Sequence, residues 1–556
     1  MPAKRWIRPE LSNRDPGAGL TAPQYAILAR RGLTTEREIE TYLDKRYGQE
    51  TDPFQLKDMD RAVDRLQSAR RGNEQVAVFG DYDADGTTST ALLTGVLRSL
   101  GFDTEWYIPN RFTEGYGLNE TALSELRSRG AAVVISVDCG IRSNDVVEFA
   151  NGEGLDVIIT DHHLPGPELP PALAVVDPNR EDDQYPFKGL AGVGLAYKLA
   201  EGLIQSSGGG DLTKYLDLLA VGTIADLAPL TDENRQLVAA GIEQLNAATR
   251  PGLRALAEFA GYEQGSITSS SIGFGLGPRL NAAGRLDDAR LAVELLLAKD
   301  GAAAWDSAGK LDQLNRERQD LTIETFERAR VIALESRQSE DLLIAVDAEF
   351  HEGVVGLAAG RLSEEFYRPA LVARIENDVL TGSARSIPEF HITEALQACS
   401  DLLLKFGGHA QAAGFSLLAE NREAFVNRLS ELAAKNLSGL DLMPSLEIDV
   451  GLDFAELDDD LMAFIDRLQP CGQANPYPVF STPGVEILSK RVVGKGGRHL
   501  KLTVRHSGKV FDAIAFGFGK QIGELPDRLE MAYRLERNEF RGVVSLQLNI
   551  QDLRSH

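Results

Sequence analysis

The stretch Gln75-Val-Ala-Val-Phe-Gly-Asp-Tyr-Asp-Ala-Asp-Gly86 joins a short apolar run directly to three aspartates at alternate positions. The apolar run predicts a short strand that is buried on both faces. Asp81, Asp83 and Asp85 follow at its carboxyl end, and the residues from about Thr87 to Leu100 predict a helix. A buried strand, an acidic loop and a helix in this order are typical of an α/β domain built on a parallel sheet.

Other apolar runs farther along the chain end in polar side chains in the same way. Ala132-Val-Val-Ile-Ser-Val-Asp138 ends in an aspartate, and Asp156-Val-Ile-Ile-Thr-Asp161 is followed by His162 and His163. A shorter run of the same kind is Ala174-Val-Val-Asp177. Open parallel sheets bind ligands outside the carboxyl ends of their strands. We therefore expect these acids and histidines to lie close together.

The side chains at these strand ends are of the types that bind divalent metal ions. A further acid, Asp226, lies in Val221-Gly-Thr-Ile-Ala-Asp-Leu-Ala-Pro229. Carboxylate oxygens and neutral imidazole suit Mn²⁺ and Mg²⁺, and a two-ion site needs roughly five to seven such ligands. An EF-hand is excluded because Leu92 stands at the twelfth position counted from Asp81. The sequence therefore predicts a divalent metal centre.

Two features near these residues invite a different interpretation. Gly192-Val-Gly194 suggests a dinucleotide-binding loop, but the third glycine and a clean preceding strand are missing, which favours a tight helix start. Cys139 follows Asp138 but has no neighbouring base, so a small buried residue is favoured over a nucleophile.

The length of 556 residues is too great for one core and predicts several domains. Residues 310–335 lack Gly and Pro and are rich in helix formers, which predicts a long connecting helix. We predict five segments: a mostly helical lead-in over 1–70, a parallel-sheet α/β domain over 71–300, the connecting helix over 301–336, a second and smaller α/β domain over 337–440, and a small all-β barrel over 441–556.

The net charge of −25 argues on average against a nucleic-acid ligand, which needs basic residues to neutralise phosphates. The predicted barrel is an exception, because its residues 490–509 contain no acid and Gly494-Lys-Gly-Gly497 has the pattern of a hairpin tip. Barrels of the OB type bind single strands with basic grooves and stacking aromatic rings. Phe511, Phe516 and Phe518 are available, although core packing is the commoner role of such residues. The basic residues are Lys490, Arg491, Lys495, Arg498, Lys501, Arg505 and Lys509.

The remaining composition bears on the cellular compartment. No apolar run reaches the ~18 residues that span a bilayer, and the first residues lack the apolar core of a secretory signal. Cys139, Cys399 and Cys471 are widely spaced, which excludes a disulfide framework and a zinc finger. We expect a cytoplasmic protein without a membrane partner.

The motifs in this order resemble those of a known family. Val78–Gly86, Val137-Asp-Cys-Gly140, Thr160-Asp-His-His163 and Gly222-Thr-Ile-Ala-Asp226 resemble the four ordered motifs of the DHH phosphoesterase superfamily. Several further stretches resemble its RecJ branch of single-strand-specific 5′→3′ exonucleases. These are Tyr107-Ile-Pro-Asn-Arg111, Glu114-Gly-Tyr-Gly117, Pro278-Arg-Leu-Asn-Ala-Ala-Gly-Arg285, Gly353-Val-Val-Gly356, Gly382-Ser-Ala-Arg-Ser386, Gly407-Gly-His-Ala-Gln-Ala-Ala-Gly414 and Pro470-Cys-Gly-Gln-Ala-Asn-Pro476.

The resemblance, which covers residues 50–556, implies a role for each group of residues. The implied fold is a DHH domain, a DHHA1-like substrate-binding domain and a C-terminal OB-fold that the last of these motifs introduces. Asp138 is implied to bridge two Mn²⁺ or Mg²⁺ ions, and Asp81 and His163 to support them or to contact the substrate. The implied metal ligands are Asp83, Asp85, Asp138, His162 and Asp226. The implied substrate contacts are Arg111, Ser383 and Arg385 at the 5′ end, Arg279, Asn281, Arg285 and His409 at phosphates or nucleotides, and Lys495 and Arg498 in the barrel.

The resemblance also implies an activity, the release of 5′-mononucleotides from single-stranded DNA in repair or recombination. A helicase and a single-strand-binding protein are then plausible partners. Phe350-His351-Glu352, where the family commonly has Trp-His, and Gly360, where Ser is commoner, are departures that put little in doubt. We expect no additional C-terminal domain. Two alternatives stay open: a phosphodiesterase of oligonucleotides or cyclic dinucleotides, and an inactive replication scaffold.

Overall fold

The computed structural model describes residues 4–8, 19–45, 51–336, 339–523, 525–540 and 542–555. Within these, the chain forms two compact units. The parallel-sheet unit comprises Thr41–Arg318 and Gln469–Pro476, and the barrel unit comprises Met1–Glu40, Gln319–Leu468 and Tyr477–His556.

The parallel-sheet unit is built on five strands that are all parallel. Successive side chains of each strand enter different cores: Val76 and Val78 pack in one, while Ala77 and Phe79 pack in the other. The apolar run is therefore buried on both faces, as its composition predicts. In spatial order the strands are Thr104–Tyr107, Gln75–Gly80, Ala131–Val137, Asp156–Thr160 and Ala174–Val176.

Helices cover both faces of this sheet. Helix Ala84–Ser99 follows strand Gln75–Gly80 in the chain. It begins three residues earlier than the sequence predicts, because Asp83 caps it. The other helices are Met59–Gly72, Glu120–Arg129, Asn144–Gly152, Gly192–Ser206, Leu216–Ala225, Asp232–Asn246, Pro251–Phe259, Ser269–Ser271, Gly277–Leu286 and Arg290–Leu297, with 3₁₀ turns at Pro53–Gln55 and Thr213–Tyr215 and a π turn at Ile272–Leu276.

The barrel unit contains a five-stranded mixed sheet and a small barrel. In the mixed sheet only the last two strands are parallel, and the order is Lys405–Gly408, Ala412–Leu418, Val379–Arg385, Ala370–Glu376 and Leu343–Asp347. Around this sheet the chain forms helices Glu352–Phe366, Ile392–Gln397 and Arg422–Leu437, with 3₁₀ turns at Ser400–Leu402 and Ala419–Asn421. This sheet and its helices form the predicted second α/β domain.

The barrel closes because its first long strand pairs with neighbours on both sides. Its five strands follow the order Phe480–Val493, His499–His506, Lys509–Ala515, Val543–Ser555 and Arg528–Phe540. The predicted hairpin is confirmed, with Val493 opposite His499. Strand Val450–Gly451, helix Asp459–Leu468 and 3₁₀ turns at Phe454–Glu456, Lys495–Gly497 and Gly519–Gly523 complete this region. The predicted α/β class with a C-terminal OB-like barrel is confirmed.

The described residues of the predicted lead-in are mostly helical, as expected, but they begin with a strand that the sequence analysis did not predict. Arg5–Ile7 form a strand parallel to Ser445–Glu447, and Trp6 packs against the barrel residues Ile448, Val479 and Ala532. Helices Ala22–Arg30 and Glu36–Leu43 follow. Residues through Glu40 thus group with the barrel unit and those from Thr41 with the other unit. Three residues are too few to show a strand by pattern alone.

The motif at residues 470–476 precedes the first long strand of the barrel in sequence, as predicted, but it groups with the other unit. It belongs to the parallel-sheet unit, where Leu230 N donates to Gln473 O at 2.8 Å and Ser269 Oγ donates to Cys471 O at 2.7 Å. Tyr42 OH donates to Asn475 Oδ1 at 2.7 Å. The position of residues 470–476 is fixed by hydrogen bonds to residues that are distant in sequence, and a local pattern does not reveal such bonds.

The connecting helix predicted over residues 301–336 is observed as Gly301–Ser336. The chain passes from one unit to the other within it, after Arg318. Among the helices of the described ranges, none combines the length and the apolar composition needed to cross a bilayer.

Trp6 should contribute strongly to the stability of the barrel unit. Its side chain is 8% exposed, and its Nε1 donates to Asp552 Oδ2 at 2.7 Å. Trp6→Ala should cost about 3–5 kcal/mol and lower the melting temperature of this unit by roughly 10 °C in scanning calorimetry. Phe516→Ala is the control in the same unit, because that aromatic side chain is 53% exposed. Equal shifts for the two variants would contradict the docking of the N-terminal strand.

Candidate metal centre

The acids that follow the parallel strands meet at one edge of the sheet, as predicted. Asp81 follows Gln75–Gly80, Asp138 follows Ala131–Val137, and Asp161 follows Asp156–Thr160. All three carboxylates are almost completely buried. The parallel arrangement brings the carboxyl ends of neighbouring strands side by side, so charges that are far apart in sequence are concentrated there.

Asp83 and Asp85 are held by helix N-termini. Asp83 Oδ1 accepts from Asp85 N at 2.8 Å and from Gly86 N at 3.1 Å, which caps helix Ala84–Ser99. The two oxygens of Asp85 accept from Gly192 N at 2.7 Å and Val193 N at 2.8 Å, the first amides of helix Gly192–Ser206. The Gly192-Val-Gly194 stretch is therefore a helix start, as predicted, and its positive end faces a carboxylate.

Asp138 adopts a left-handed backbone conformation, with φ of 61°. Its amide donates to Thr160 O at 3.0 Å, which ties the end of its strand to the neighbouring strand. A side chain at Gly192 is excluded, since its Cβ would lie 2.6 Å from Cβ of Asp138. Gly192 thus lets a helix N-terminus approach Asp138 and Asp85 together.

The side chain of His162 lies among three of the acids. Nε2 is 3.1 Å from Asp138 Oδ1 and 3.8 Å from Asp85 Oδ2, and Nδ1 is 4.0 Å from Asp226 Oδ2. Asn179 Nδ2 donates to the backbone carbonyl of His162 at 2.6 Å, which fixes this loop. His162 is therefore the side chain that joins Asp226 to the strand-end acids.

Asp161 supports the two histidines. Its Oδ1 accepts from His162 N at 2.8 Å and from His163 Nδ1 at 2.7 Å, and its Oδ2 accepts from Ile141 N at 3.0 Å. Burial would raise the pKa of Asp161, but the hydrogen bond and charge of His163 lower it. Burial opposes the ionisation of His163, yet the bond to Asp161 raises the pKa of that imidazole to about 9.

The ligand atoms of these residues fall into three groups, each within 4.8 Å. Asp138 and His162 each belong to two groups, which is the arrangement expected where ligands are shared between neighbouring ions. Asp81 and His163 lie as close to this centre as the residues predicted to be ligands. The groups are Asp138, His162 and His163; Asp85, His162 and Asp226; and Asp81, Asp83 and Asp138.

The buried carboxylates of the cluster repel one another, so bound cations would stabilise their charged forms. Burial, followed by the charges of the neighbouring aspartates, raises the pKa of Asp85 to about 7 and that of Asp226 to about 8. The same causes raise the pKa values of Asp81 and Asp138 well above the ordinary range. Oδ1 of Asp81 is buried and has no hydrogen-bond partner among the described residues. Oxygen and imidazole donors in this number fit Mn²⁺ or Mg²⁺.

Arg111 lies beside the cluster. Its guanidinium is 5.2 Å from the ring centre of Tyr82, and its charge acts to lower the pKa of Asp81 against the larger effect of burial. Tyr116, a residue that the sequence did not single out, stands edge-on to both Tyr82 and His163. The signal for Tyr116 in the sequence is its position between Gly115 and Gly117, which both have positive φ in the structure.

The predicted substrate residues of the 278–285 motif have different partners in the structure. Arg279 pairs with Asp312, with its Nη2 2.9 Å from Oδ1, and is therefore engaged inside the protein. Asn281 Oδ1 accepts from Ala84 N at 2.7 Å, so it supports the loop that carries Asp83 and Asp85. Arg285 lies near Tyr82, where its charge opposes the burial that raises the pKa of this phenol to about 12.

The other predicted substrate residues belong to the barrel unit. Ser383 and Arg385 lie on strand Val379–Arg385, beside Gly356, where a Cβ would be 3.2 Å from Ser383 Oγ and 3.0 Å from Arg385 Nη2. Burial lowers the pKa of Arg385. His409 is exposed and lies in the turn between two antiparallel strands.

The basic hairpin of the barrel is exposed at its tip. Arg498 is exposed, whereas the side chain of Lys495 lies outside the described part of the structure. Of the three phenylalanines, Phe518 is 5% exposed and Phe516 is 53% exposed. Phe511 packs edge-on against Phe454, at 5.3 Å between ring centres. Phe516 is thus the ring available for stacking.

Divalent ions should stabilise the protein, and by more at higher pH. Raised carboxyl pKa values mean that the folded, metal-free site holds protons which the unfolded chain releases near pH 4, so metal-free stability falls as pH rises toward 7–8. Mg²⁺ at a hundred times its Kd should add about 2.7 kcal/mol. The measurement is the melting temperature in EDTA and in Mg²⁺ at pH 6 and pH 8.

The melting temperature in Mg²⁺ should exceed that in EDTA by more at pH 8 than at pH 6. This excess should shrink in the Asp138→Asn variant. Asp103→Asn, an exposed acid of the same unit, is the control and should behave as the parent. A difference that is independent of pH would contradict the assignment of a metal centre to this cluster.

Comparison with known proteins identifies the family. Three family models match in order: the DHH family N-terminal domain over residues 75–223, the DHHA1 domain over 339–435 and the RecJ OB domain over 448–552. The chain is 39% identical over 556 residues to the single-stranded-DNA-specific exonuclease RecJ of Salmonella typhimurium, with 95% of each covered. It is 38% identical over 532 residues to that of Bacillus subtilis, covering 95% of this chain and 67% of the relative.

A solved structure agrees with this assignment. RecJ from Thermus thermophilus in complex with Mn²⁺ superposes with a TM-score of 0.86 at 31% identity, covering 99% of this chain and 80% of that chain. The Mg²⁺ complex of the same protein gives a TM-score of 0.80 at 30% identity, covering 99% and 78%. The chain belongs to the RecJ family of DHH-type single-stranded-DNA-specific exonucleases.

Proposed function

We propose that the chain is a single-stranded-DNA-specific 5′→3′ exonuclease that hydrolyses phosphodiesters with two Mn²⁺ or Mg²⁺ ions. The observation that carries this proposal is the buried cluster at the strand ends, in which Asp138 and His162 are each shared between groups of ligand atoms. The relatives named single-stranded-DNA-specific exonuclease, which the chain matches over 95% of its length, support the choice of substrate.

Five residues of the cluster are proposed to hold the ions, and Asp138 is proposed to lie between them. When bound, such ions activate water and stabilise charge on the attacking and leaving oxygens. Helix amides fix Asp85, and Asp161 fixes the orientation of His163. Asp81 and His163 are proposed to orient the substrate or the reacting water. The proposed ligands are Asp83, Asp85, Asp138, His162 and Asp226.

Arg111 is proposed to bind the 5′-terminal phosphate. A guanidinium binds phosphate oxygens through two parallel hydrogen bonds, and Arg111 lies close enough to the cluster to act on the pKa of Asp81. An enzyme that holds the terminal phosphate beside its reacting centre cuts from that end. The 5′→3′ polarity is therefore proposed to depend on Arg111, with Tyr116 and Arg285 as further candidates for contact with the nucleotide.

The barrel unit is proposed to bind the rest of the strand. Ser383 and Arg385 offer a hydroxyl and a guanidinium for a phosphate, and the exposed His409 offers an imidazole. On the barrel, Arg498 and Lys495 are proposed to bind phosphates and Phe516 to stack on a base, which contributes about 1–3 kcal/mol per base. A cytoplasmic role in repair or recombination is proposed, with a helicase and a single-strand-binding protein as partners because the substrate must first be unwound.

Degradation assays with defined ends test the function. With Mn²⁺, a 3′-labelled single strand should be shortened progressively and a 5′-labelled one should release labelled mononucleotide at once. Blunt duplex and the dinucleotide pGpG should be cut far more slowly. Asp138→Ala should abolish turnover, because a residue shared between both ions is lost.

The exposed Asp103→Ala is the control for that variant and should retain activity. Cleavage of pGpG alone would indicate a small-nucleotide phosphodiesterase, and no cleavage of any substrate would indicate a scaffold. Substantial turnover by folded Asp138→Ala protein would contradict the proposed metal site.

The barrel hairpin should contribute to the salt dependence of binding. Arg491 and Arg498 are exposed and have no ion-pair partner among the described residues, whereas Arg505 pairs with Glu486 at 2.8 Å. Changing both Arg491 and Arg498 to Gln should weaken binding of inactive protein to single-stranded DNA. The slope of log K against log[salt] should fall by about 1.4 in magnitude, because two phosphate contacts are lost. Arg505→Gln is the matched control, and an equal effect of this change would refute the assignment.

A further inference from the structure

The turn that presents Arg111 is built from its own polar groups. In residues 110–115, which we call the Arg111 turn, the amides of Glu114 and Gly115 donate to the carbonyl of Asn110 at 2.8 and 3.3 Å. Asn110 Oδ1 accepts from Phe112 N at 3.0 Å and from Thr113 N at 3.3 Å. The turn therefore has a defined shape, and its orientation relative to the sheet depends on how it is anchored.

Glu114 provides that anchor. Its Oε1 accepts from Asn110 N at 2.8 Å, and its Oε2 accepts from Tyr107 OH at 2.7 Å. Tyr107 ends the edge strand Thr104–Tyr107, and its ring stacks on Phe79 of the neighbouring strand at 5.4 Å. One carboxylate thus connects the first residue of the turn to a side chain that is held by the sheet.

The turn borders open space on one side. An open pocket of about 460 Å³ adjoins it, and Tyr107, Asn110, Thr113 and Glu114 are among the residues that line this pocket. Phe112, next to Arg111, is 42% exposed. Where side chains do not fill the space behind a loop, directed hydrogen bonds determine its position.

We propose that Glu114 is a positioning residue that sets the orientation of Arg111 and so determines how strongly the enzyme prefers a 5′-phosphate to a 5′-hydroxyl. This proposal rests on the proposed function, in which Arg111 binds the terminal phosphate. Glu114 itself has no role at the metal centre. Its loss should therefore affect recognition of the end and leave the chemical step intact.

The variants Glu114→Ala, Glu114→Gln and Arg111→Gln separate these roles. Alanine removes both acceptors. Glutamine keeps the anchor, because its carbonyl oxygen can accept from Asn110 N while its amide donates to the Tyr107 hydroxyl oxygen. Tyr107→Phe removes only the bond to Oε2 and is a second test that does not alter Glu114. The measurement is kcat and KM on one single-stranded oligonucleotide carrying either a 5′-phosphate or a 5′-hydroxyl.

Glu114→Ala should lower kcat/KM on the phosphorylated strand about tenfold, mainly through KM, and should change kcat/KM on the hydroxyl strand less than twofold. Glu114→Gln should stay within about threefold of the parent, and Tyr107→Phe should change in the direction of Glu114→Ala. Adding Glu114→Ala to Arg111→Gln should have little further effect, because the two act through one contact.

Several results would overturn the inference. Equal losses on both strands, or additive effects with Arg111→Gln, would assign Glu114 a general structural role. If Glu114→Ala does not fold, unchanged preference in Tyr107→Phe overturns it instead. A parent enzyme that does not distinguish the two strands, or an Arg111→Gln variant with unchanged preference, would refute the proposed role of Arg111 and with it this inference, whereas the exonuclease activity itself stands or falls with the degradation assays.

Discussion

Repulsion among buried carboxylates at one edge of a parallel sheet is the constraint on which the rest of this structure depends. Burial and the mutual charges of Asp81, Asp85, Asp138 and Asp226 raise all four pKa values. Burying several carboxylates together destabilises the folded state unless cations neutralise their charge. Surrounding elements supply part of the compensation, since helix amides bind Asp85 and imidazoles approach Asp138 and Asp161. The remaining charge is what makes the edge suited to divalent ions and, with them, to a phosphodiester.

The elements around the cluster are arranged to hold ligands still. Helix Gly192–Ser206 approaches closely only because Gly192 has no Cβ, and it then fixes both oxygens of Asp85. Asn281 secures the amide of Ala84 from a residue 197 positions away. A ligand set whose geometry is held by separate elements of the fold is preorganised, so little reorganisation accompanies binding. Gly192 and the backbone amides near the cluster therefore help to fix the positions of its acids.

The residues proposed to bind the DNA strand differ in physical character. In the parallel-sheet unit, Arg111 stands on a turn held by hydrogen bonds beside the rings of Tyr82 and Tyr116. The barrel, in contrast, offers the exposed side chains of Arg498 and Phe516. This local basic surface is compatible with a net charge of −25, because the acids gather at the metal centre and on other surfaces while the hairpin carries none. Net charge describes solubility better than it describes the ligand.

The sequence by itself determined the sheet and the acids and histidines that gather at its edge, since an apolar run followed by aspartate is a local pattern and parallel strands place such ends together. It also indicated the long helix and the barrel hairpin. It did not reveal strand Arg528–Phe540, although Leu529, Met531, Tyr533 and Leu535 alternate along it and are all buried. Tertiary structure alone decided which polar residues are available to a ligand. Arg279 is engaged by Asp312, Asn281 caps a helix, and Arg5–Ile7 complete an edge beside the barrel. These roles depend on partners distant in sequence, and a local pattern carries no information about which partner a side chain will meet.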